Sequence, residues 1–295
     1  MREKIRSAMF AGQFYPSSTK ELKRKIDNFL KAVPDNKIHG DIKALITPHA
    51  GYDFSGLVMA YAFKQLAGKK INTVVIIGNS HKAYFDGMAI DDNEVWQTAL
   101  GKVIVDKELA DKLIRADKAI KYNGLVHKQD HVLEVEIPFL QVVLNSNFKI
   151  APILFGNKYD WSYKKLAQAL KNNLKDNDLV VISTDMSHYP EYGDANKIDQ
   201  GSLEKIKSGK VEDLEKYIKK IEKSNYDNEQ TTLCGIDAVK TGLELCNLAE
   251  WNKIQILKYA NSGDAPLIGD KKNVVGYGAI AFIQNKNAKI KTQNK

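Results

Sequence analysis

Apolar runs rich in β-branched residues alternate along the chain with segments in which apolar residues recur every three or four positions. The runs predict strands at residues 42–46, 73–77, 102–105, 149–155, 178–182, 254–259 and 274–283. The helical periodicity predicts helices at residues 19–32, 55–66, 107–116, 137–144, 161–174 and 231–248. This alternation predicts an α/β protein with a central, mostly parallel or mixed sheet covered by helices on both faces.

We expect a single domain over residues 1–284, because no linker rich in Pro, Gly or Ser and no shift in composition divides the chain. The Lys- and Asn-rich residues 285–295 are predicted to be a frayed tail. Two highly charged helices, predicted at residues 194–208 and 211–224, are interpreted as a solvated hairpin. A lid over the functional site is the alternative interpretation.

Composition excludes several classes of protein. The sequence has no uninterrupted apolar stretch of about 18 residues for a membrane span and no apolar signal core at its start, so we expect a cytoplasmic protein without a membrane partner. The net charge of +8 does not indicate a nucleic-acid partner, because most lysines are interleaved with Asp, Glu and Asn. Two cysteines, Cys234 and Cys246, are too few for a disulfide framework, and Cys246 is expected in the core.

Most of the chemistry-bearing side chains lie in four short islands punctuated by Gly, Ser and Thr, at residues 47–52, 78–81, 183–188 and 231–235. Three of these islands directly follow predicted strands. Ligands of open α/β sheets bind beyond the carboxyl ends of the strands, so we expect His49, His81 and His188 to converge. Two imidazoles, a thiol and a carboxylate suit a borderline transition metal.

Each of these residues has a simpler alternative role. His49 and His81 are either metal ligands or capping and core histidines. Asp185 and His188, three residues apart, would share one face if their loop takes a helical turn, which suits a metal partner or a general base. Alternatively, Asp185 caps a helix that begins near Met186.

Cys234 is predicted near the start of a helix capped by Thr231 or Thr232, where the helix dipole stabilises a thiolate. A buried structural cysteine is the alternative. His131 is a candidate for contact with a substrate. Glu134 or Glu136, which precede the helix at residues 137–144, are interpreted as favouring its N-terminus. The sequence contains no P-loop, dinucleotide-binding glycine fingerprint, HExxH or GxSxG motif.

The islands resemble the motifs of a known family. Phe10-Ala11-Gly12-Gln13-Phe14-Tyr15-Pro16 resembles the N-terminal signature of the Memo family, whose bacterial and archaeal members are called AmmeMemoRadiSam system protein B. Further matches are Pro48-His49-Ala50-Gly51-Tyr52, Gly78-Asn79-Ser80-His81, Leu133-Glu134-Val135-Glu136-Ile137-Pro138-Phe139-Leu140, Ser183-Thr184-Asp185-Met186-Ser187-His188-Tyr189, Cys234-Gly235 and Val275-Gly276-Tyr277-Gly278-Ala279. The matches run in order from residue 10 to about residue 283.

The resemblance implies a fold like that of class III extradiol ring-cleaving dioxygenases, which hold non-haem iron on two histidines and a carboxylate. It implies that His49 and His81 are metal ligands and that Cys234 replaces the carboxylate ligand. Asp185 and His188 match residues of the adjacent pocket, and His188 is the best candidate for acid–base chemistry. A thiolate ligand lets Cu compete with Fe(II), and Zn also tolerates this ligand set.

We therefore expect a metal-dependent redox enzyme or oxygenase that acts on a small, possibly aromatic molecule, with Tyr52 and Tyr189 as an aromatic wall or, alternatively, as ordinary packing residues. The first alternative function is a non-catalytic module that binds a phosphopeptide or another anion in the same pocket. The second is a zinc-dependent hydrolase. The family name further implies a functional association with a radical-SAM protein and an AMMECR-type protein.

Overall fold

The fold is described by a computed structural model that covers residues 3–144, 147–156, 162–224, 226–266 and 268–285. The predicted tail lies almost entirely outside these residues. Within them, no helix is long and apolar enough to cross a membrane.

One mixed sheet forms the centre of the molecule. Its strands in the described residues are β1 (Ile5–Arg6), β2 (Asp41–Thr47), β3 (Thr73–Asn79), β4 (Met88–Ile90), β5 (Val95–Thr98), β6 (Gly101–Val105), β7 (Ile120–Tyr122), β8 (Lys149–Phe155), β9 (Leu179–Ser183), β10 (Lys253–Asn261) and β11 (Gly276–Gln284). They follow the order β1-β5-β6-β8-β3-β9-β2-β11-β10, with β4 beside β8 and β7 beside β4. Strands β8, β3, β9 and β2 are mutually parallel, whereas β10 and β11 are antiparallel to their neighbours.

Helices cover both faces of the sheet, as the sequence predicts. Those in the described residues are α1 (Thr19–Ala32), α2 (Tyr52–Phe63), α3 (Lys107–Ala116), α4 (Gly124–Lys128), α5 (Ile137–Leu144), α6 (Ser162–Asn173), α7 (Tyr192–Ser208), α8 (Val211–Lys223) and α9 (Ile236–Leu248). Alternate side chains of β3 show the layering: Val74 and Ile76 pack with α1, α2 and α5, whereas Val75 and Ile77 pack with α3, α6 and α9. The central strand is therefore buried on both sides, as is usual for parallel sheets.

The charged hairpin differs from its prediction. Helix α7 packs against β10 and β11 and buries Ile198, Leu203 and Ile206, and α8 packs against α7 and buries Leu214. The pair is therefore part of the helical layer, and neither a freely solvated hairpin nor a lid describes it.

Helix α9 also differs, because it begins at Ile236 instead of residue 231. Its N-cap is Gly235, and the side-chain oxygen of Asn79 accepts hydrogen bonds of 3.2 Å from the N–H groups of Asp237 and Ala238. A side chain from a distant strand end thus provides the capping oxygen that Thr231 and Thr232 were predicted to supply.

Candidate metal centre

Three adjacent parallel strands end at the same edge of the sheet. In the order β3-β9-β2, each strand is followed within two residues by a site residue: His81 after β3, Asp185 after β9 and His49 after β2. Cys234 reaches this edge from the segment that precedes α9. The predicted convergence of His49 and His81 is therefore present, and it follows from the strand order.

The three predicted metal ligands form a compact cluster. The ligand atoms of His49, His81 and Cys234 all lie within 4.8 Å of one another, and His49 Nε2 is 3.2 Å from Cys234 Sγ. His49 is buried, Cys234 is half-buried and His81 is exposed. The chain thus contains a possible metal-binding site that opens to solvent on the His81 side.

Hydrogen bonds to the Nδ1 atoms orient the imidazoles. His81 Nδ1 lies 3.0 Å from the carbonyl oxygen of Asn79, and His188 Nδ1 lies 2.8 Å from that of Met186. A carbonyl oxygen only accepts, so Nδ1 carries a proton in both rings, and Nε2 is the nitrogen that is bare whenever the ring is neutral. His49 Nδ1 is 2.9 Å from the hydroxyl oxygen of Ser183. This is the arrangement by which surrounding groups usually fix a metal-binding imidazole.

Carboxylates hold the loops that carry the ligands. Asp185 Oδ1 accepts a hydrogen bond of 2.8 Å from the backbone N–H of His49, and the backbone N–H of Asp185 donates to Cys234 Sγ over 3.1 Å. Asp130 Oδ2 accepts a hydrogen bond of 2.7 Å from the backbone N–H of His81. This contact was not predictable, because nothing in the sequence next to Asp130 indicates it.

The predicted pairing of Asp185 with His188 is wrong. The loop after β9 is not helical, so the two side chains do not share a helix face and Asp185 caps no helix. Instead, Asp185 Oδ2 lies 3.9 Å from His49 Nε2. Burial raises the pKa of the Asp185 carboxyl to about 7, although backbone N–H groups of His49 and Ala50 oppose this shift.

Cys234 lies near the start of α9, as predicted, directly before the N-cap Gly235, but the predicted net stabilisation of its thiolate is wrong. Burial, and next the charge of Asp185, raise the pKa of the Cys234 thiol well above its usual range. The polypeptide alone therefore favours the neutral thiol, and a bound cation would be needed to favour the thiolate.

Burial keeps the imidazoles of His49, His131 and His188 neutral. It lowers the pKa of His49 and of His188, and it lowers that of His131 to about 4, with repulsion from His81 adding to each shift. Neutral imidazole is the form that binds metal ions. Three of the six histidines, His49, His131 and His188, thus add little positive charge to this part of the protein at pH 7.

The N-terminal segment covers one side of this pocket. The ring of Phe14 stacks on His131 with centroids 4.2 Å apart, and the centroid of His131 lies 5.5 Å from those of His49 and His81. The structure therefore brings His131 into the site, as predicted.

A buried carboxylate anchors this segment. Glu134 forms an ion pair with Arg6 and accepts hydrogen bonds from the backbone N–H groups of Met9 (3.1 Å) and Phe10 (2.9 Å) and from the hydroxyl of Tyr15 (2.7 Å). The interpretation of Glu134 as a residue that favours a helix N-terminus missed this role, because its partners are more than 100 positions away.

A family model described as Memo-like protein matches residues 6–281. The chain belongs to the Memo family. A MEMO1 family protein of Nitrosopumilus maritimus is 35% identical over 95% of this chain and 100% of its own length. Similar proteins from Methanopyrus kandleri and Aquifex aeolicus are each 31% identical, over 94% and 95% of this chain and 98% and 100% of theirs. Among solved structures, an uncharacterized protein of Escherichia coli K12 aligns with a TM-score of 0.48 and 12% identity, over 81% of this chain and 99% of that one.

The two tyrosines predicted as an aromatic wall of this Memo-family site have different surroundings. Tyr52 is buried in the core, where its hydroxyl donates a hydrogen bond of 2.7 Å to the Val135 carbonyl and its ring packs against Phe139. Its assignment to the pocket is therefore wrong. Tyr189 is 41% exposed, has a left-handed backbone (φ 71°) and presents its ring to the edge of His188.

The residues of the Memo-family site fit a transition metal. His81 offers an Nε2 atom without a proton, and His49 Nε2 and Cys234 Sγ lie within 4.8 Å of it. Nitrogen and sulfur ligands in this number match sites that keep a further coordination position open.

Proposed function

We propose that this Memo-family protein is a metal-dependent redox enzyme of the oxygenase type, with one metal ion on His49, His81 and Cys234. The observation that carries the proposal is the convergence of two imidazoles and a thiol within 4.8 Å at one sheet edge. Iron or copper is the proposed metal, since imidazole and thiolate together suit both and thiolate favours Cu(I). When bound, such a metal supplies one-electron redox chemistry.

His188 is the proposed acid–base group. Its Nδ1 is engaged by the Met186 carbonyl, so proton exchange takes place at Nε2. Burial lowers its pKa, which keeps the ring neutral and ready to accept a proton at pH 7. Its imidazole lies close enough to His49 for their charged forms to repel each other.

Two other residues have supporting roles in the proposal. His131 is held against Phe14 as a neutral ring, and it provides a contact surface for substrate beside the ligands. Asp185 holds the backbone of the His49 loop and, with a pKa of about 7, can also carry a proton near the metal site.

The electrostatics of the pocket argue against the anion-binding alternative. Cationic groups strengthen the hydrogen bonds that hold a phosphate, but burial lowers the pKa of His49, His131 and His188, so these rings are neutral at pH 7. The zinc-hydrolase alternative uses the same three ligands, and no contact among the described residues of the site favours it.

Metal content tests the proposal. We would measure it by plasma mass spectrometry on protein purified without oxygen, comparing the parent with His81→Ala and with His39→Ala, a control that removes an exposed histidine outside the site. We expect about one equivalent of Fe or Cu in the parent and in the control, and its loss in His81→Ala. Oxygen uptake with aromatic compounds would then separate a redox enzyme from a zinc hydrolase. Absence of metal from the parent, even after anaerobic addition of Fe(II) or Cu(I), would refute the proposal.

A further inference from the structure

The hydroxyl group of Ser183 meets three polar atoms. They are His49 Nδ1 at 2.9 Å, the carbonyl oxygen of Val132 at 2.6 Å and Glu136 Oε1 at 2.7 Å. A hydroxyl has one proton to donate and two lone pairs with which to accept. One neighbour must therefore receive the Ser183 proton, and the other two must donate to its oxygen.

The chemistry of the neighbours decides which is which. The Val132 carbonyl can only accept, so it receives the proton of Ser183. His49 then donates from Nδ1, and Glu136 donates from a protonated carboxyl. Any other assignment leaves at least one of the three contacts without a proton. The lone pairs of its two polar atoms would then face each other and repel.

The surroundings of Glu136 agree with a neutral acid. Its side chain is fully buried, and burial raises the pKa of its carboxyl well above the usual range, in spite of the nearby hydroxyls of Ser183 and Thr47. The charge of Asp185 raises it further. A neutral carboxyl is a hydrogen-bond donor, as the count of protons around Ser183 requires.

We propose that Glu136 is a positioning residue: the hydrogen bond that it donates holds the Ser183 oxygen where it accepts from His49 Nδ1, and the His49 ring is thereby kept with Nε2 bare toward Cys234. Its effect on metal binding rests on the proposed metal centre, whereas its effect on the His49 ring does not. Removal of such an outer partner typically weakens metal affinity about 10- to 100-fold.

Two variants of similar size distinguish the loss of the hydrogen-bond donor at residue 136 from the loss of side-chain volume. Glu136→Gln keeps a neutral N–H donor for Ser183, whereas Glu136→Met fills the space without one. Ser202→Ala is the control, because it removes another buried hydroxyl, which donates to the Ile198 carbonyl over 3.1 Å in α7.

The first measurement is ¹⁵N NMR of the histidine rings in the metal-free full chain, with the His49 signals assigned by a His49→Gln variant. We expect Nδ1–H in the parent, Glu136→Gln and Ser202→Ala. In Glu136→Met we expect a mixture with Nε2–H, because a Ser183 hydroxyl without the Glu136 donor can rotate away from His49 Nδ1. The second is Co(II) affinity by competition titration, which should fall about 10- to 100-fold in Glu136→Met alone. Infrared spectra of the parent should show a protonated carboxyl band that Glu136→Gln lacks.

An Nε2–H tautomer in the parent, or no such carboxyl band, would overturn the inference even if Glu136→Met does not fold. Unchanged rings and affinity in Glu136→Met would also overturn it, as would equal losses in Glu136→Gln and Glu136→Met. If the parent binds no Co(II) while the ring of Glu136→Met changes as expected, the metal centre fails and the positioning role stands.

Discussion

Removal of the Glu134 carboxylate should destabilise the protein more than any loss of a surface charge. The side chains of Glu134 and Arg6 are 0% and 1% exposed, so Glu134→Ala leaves a guanidinium charge buried without its partner. Breaking a buried ion pair in this way costs about 3–5 kcal/mol. The carboxylate also accepts from Met9, Phe10 and Tyr15, but release of the segment into water would rehydrate those donors. We therefore expect a loss of about 3–5 kcal/mol in the free energy of unfolding.

Urea denaturation at pH 7 would measure this loss, and hydrogen exchange would locate it. Exchange at the backbone amides of Met9 and Phe10 should accelerate in Glu134→Ala, because both donate to the missing carboxylate. The second variant, Arg6→Met with Glu134→Leu, removes both charges and should recover much of the stability, since apolar replacement of a buried pair is often neutral.

The control is an exposed ion pair whose lysine directly precedes β1, the strand that contains Arg6. Lys4 Nζ lies 3.4 Å from Asp92 Oδ2, with side chains 65% and 46% exposed, so Asp92→Asn should cost less than about 1 kcal/mol. A cost below about 1 kcal/mol for Glu134→Ala, with unchanged exchange at Met9 and Phe10, would refute the reasoning that this pair anchors the N-terminal segment.

Three further outcomes are expected. Burial raises the pKa of Asp199 to about 7 from 3.8, so its protonation stabilises the folded state at low pH and this contribution is lost as the pH rises toward 7. Thermal or urea unfolding at about pH 5 and pH 8 would measure this loss. Between these two values, the free energy of unfolding of the parent should fall by about 3 kcal/mol more than that of Asp199→Asn. An equal dependence of the free energy of unfolding on pH in both proteins would contradict this. Tyr52→Phe should cost about 1–2 kcal/mol through the lost hydrogen bond to the Val135 carbonyl and leave Co(II) affinity unchanged, whereas weaker metal binding would return Tyr52 to the pocket. Co(II) at 100 times its dissociation constant should stabilise the parent by about 2.7 kcal/mol, an effect that EDTA reverses and His81→Ala lacks.

The helices with strong apolar periodicity were predictable from the sequence. Helices α1, α3 and α5 begin and end at the predicted residues. The apolar side chains of α1 and α3 recur with the helical period, and these two helices carry a capping Ser or Asp. The apolar run at residues 74–77 of β3 likewise indicates a strand buried on both faces. The short strands β1, β4, β5 and β7 were not predicted, since two to four residues are too few to show a period.

The residues of the candidate site were identifiable from the sequence, but their contacts were not. Histidines and a cysteine beside strand ends, together with the family resemblance, indicated His49, His81 and Cys234. Their convergence depends on β9 lying between β3 and β2, and His49 and Cys234 are 185 positions apart.

Two glutamates of one short turn show most clearly which contacts could not be predicted from the sequence. Glu134 and Glu136 are two residues apart in the same local context, and both were interpreted as residues that favour a helix N-terminus. In the folded protein, Glu134 meets Arg6 and the N-terminal segment, whereas Glu136 meets Ser183 beside the ligand His49. The sequence determined which side chains carry the chemistry. Tertiary structure decided their partners and protonation, because burial and the charges brought near by distant segments set the free energy of each ionised form.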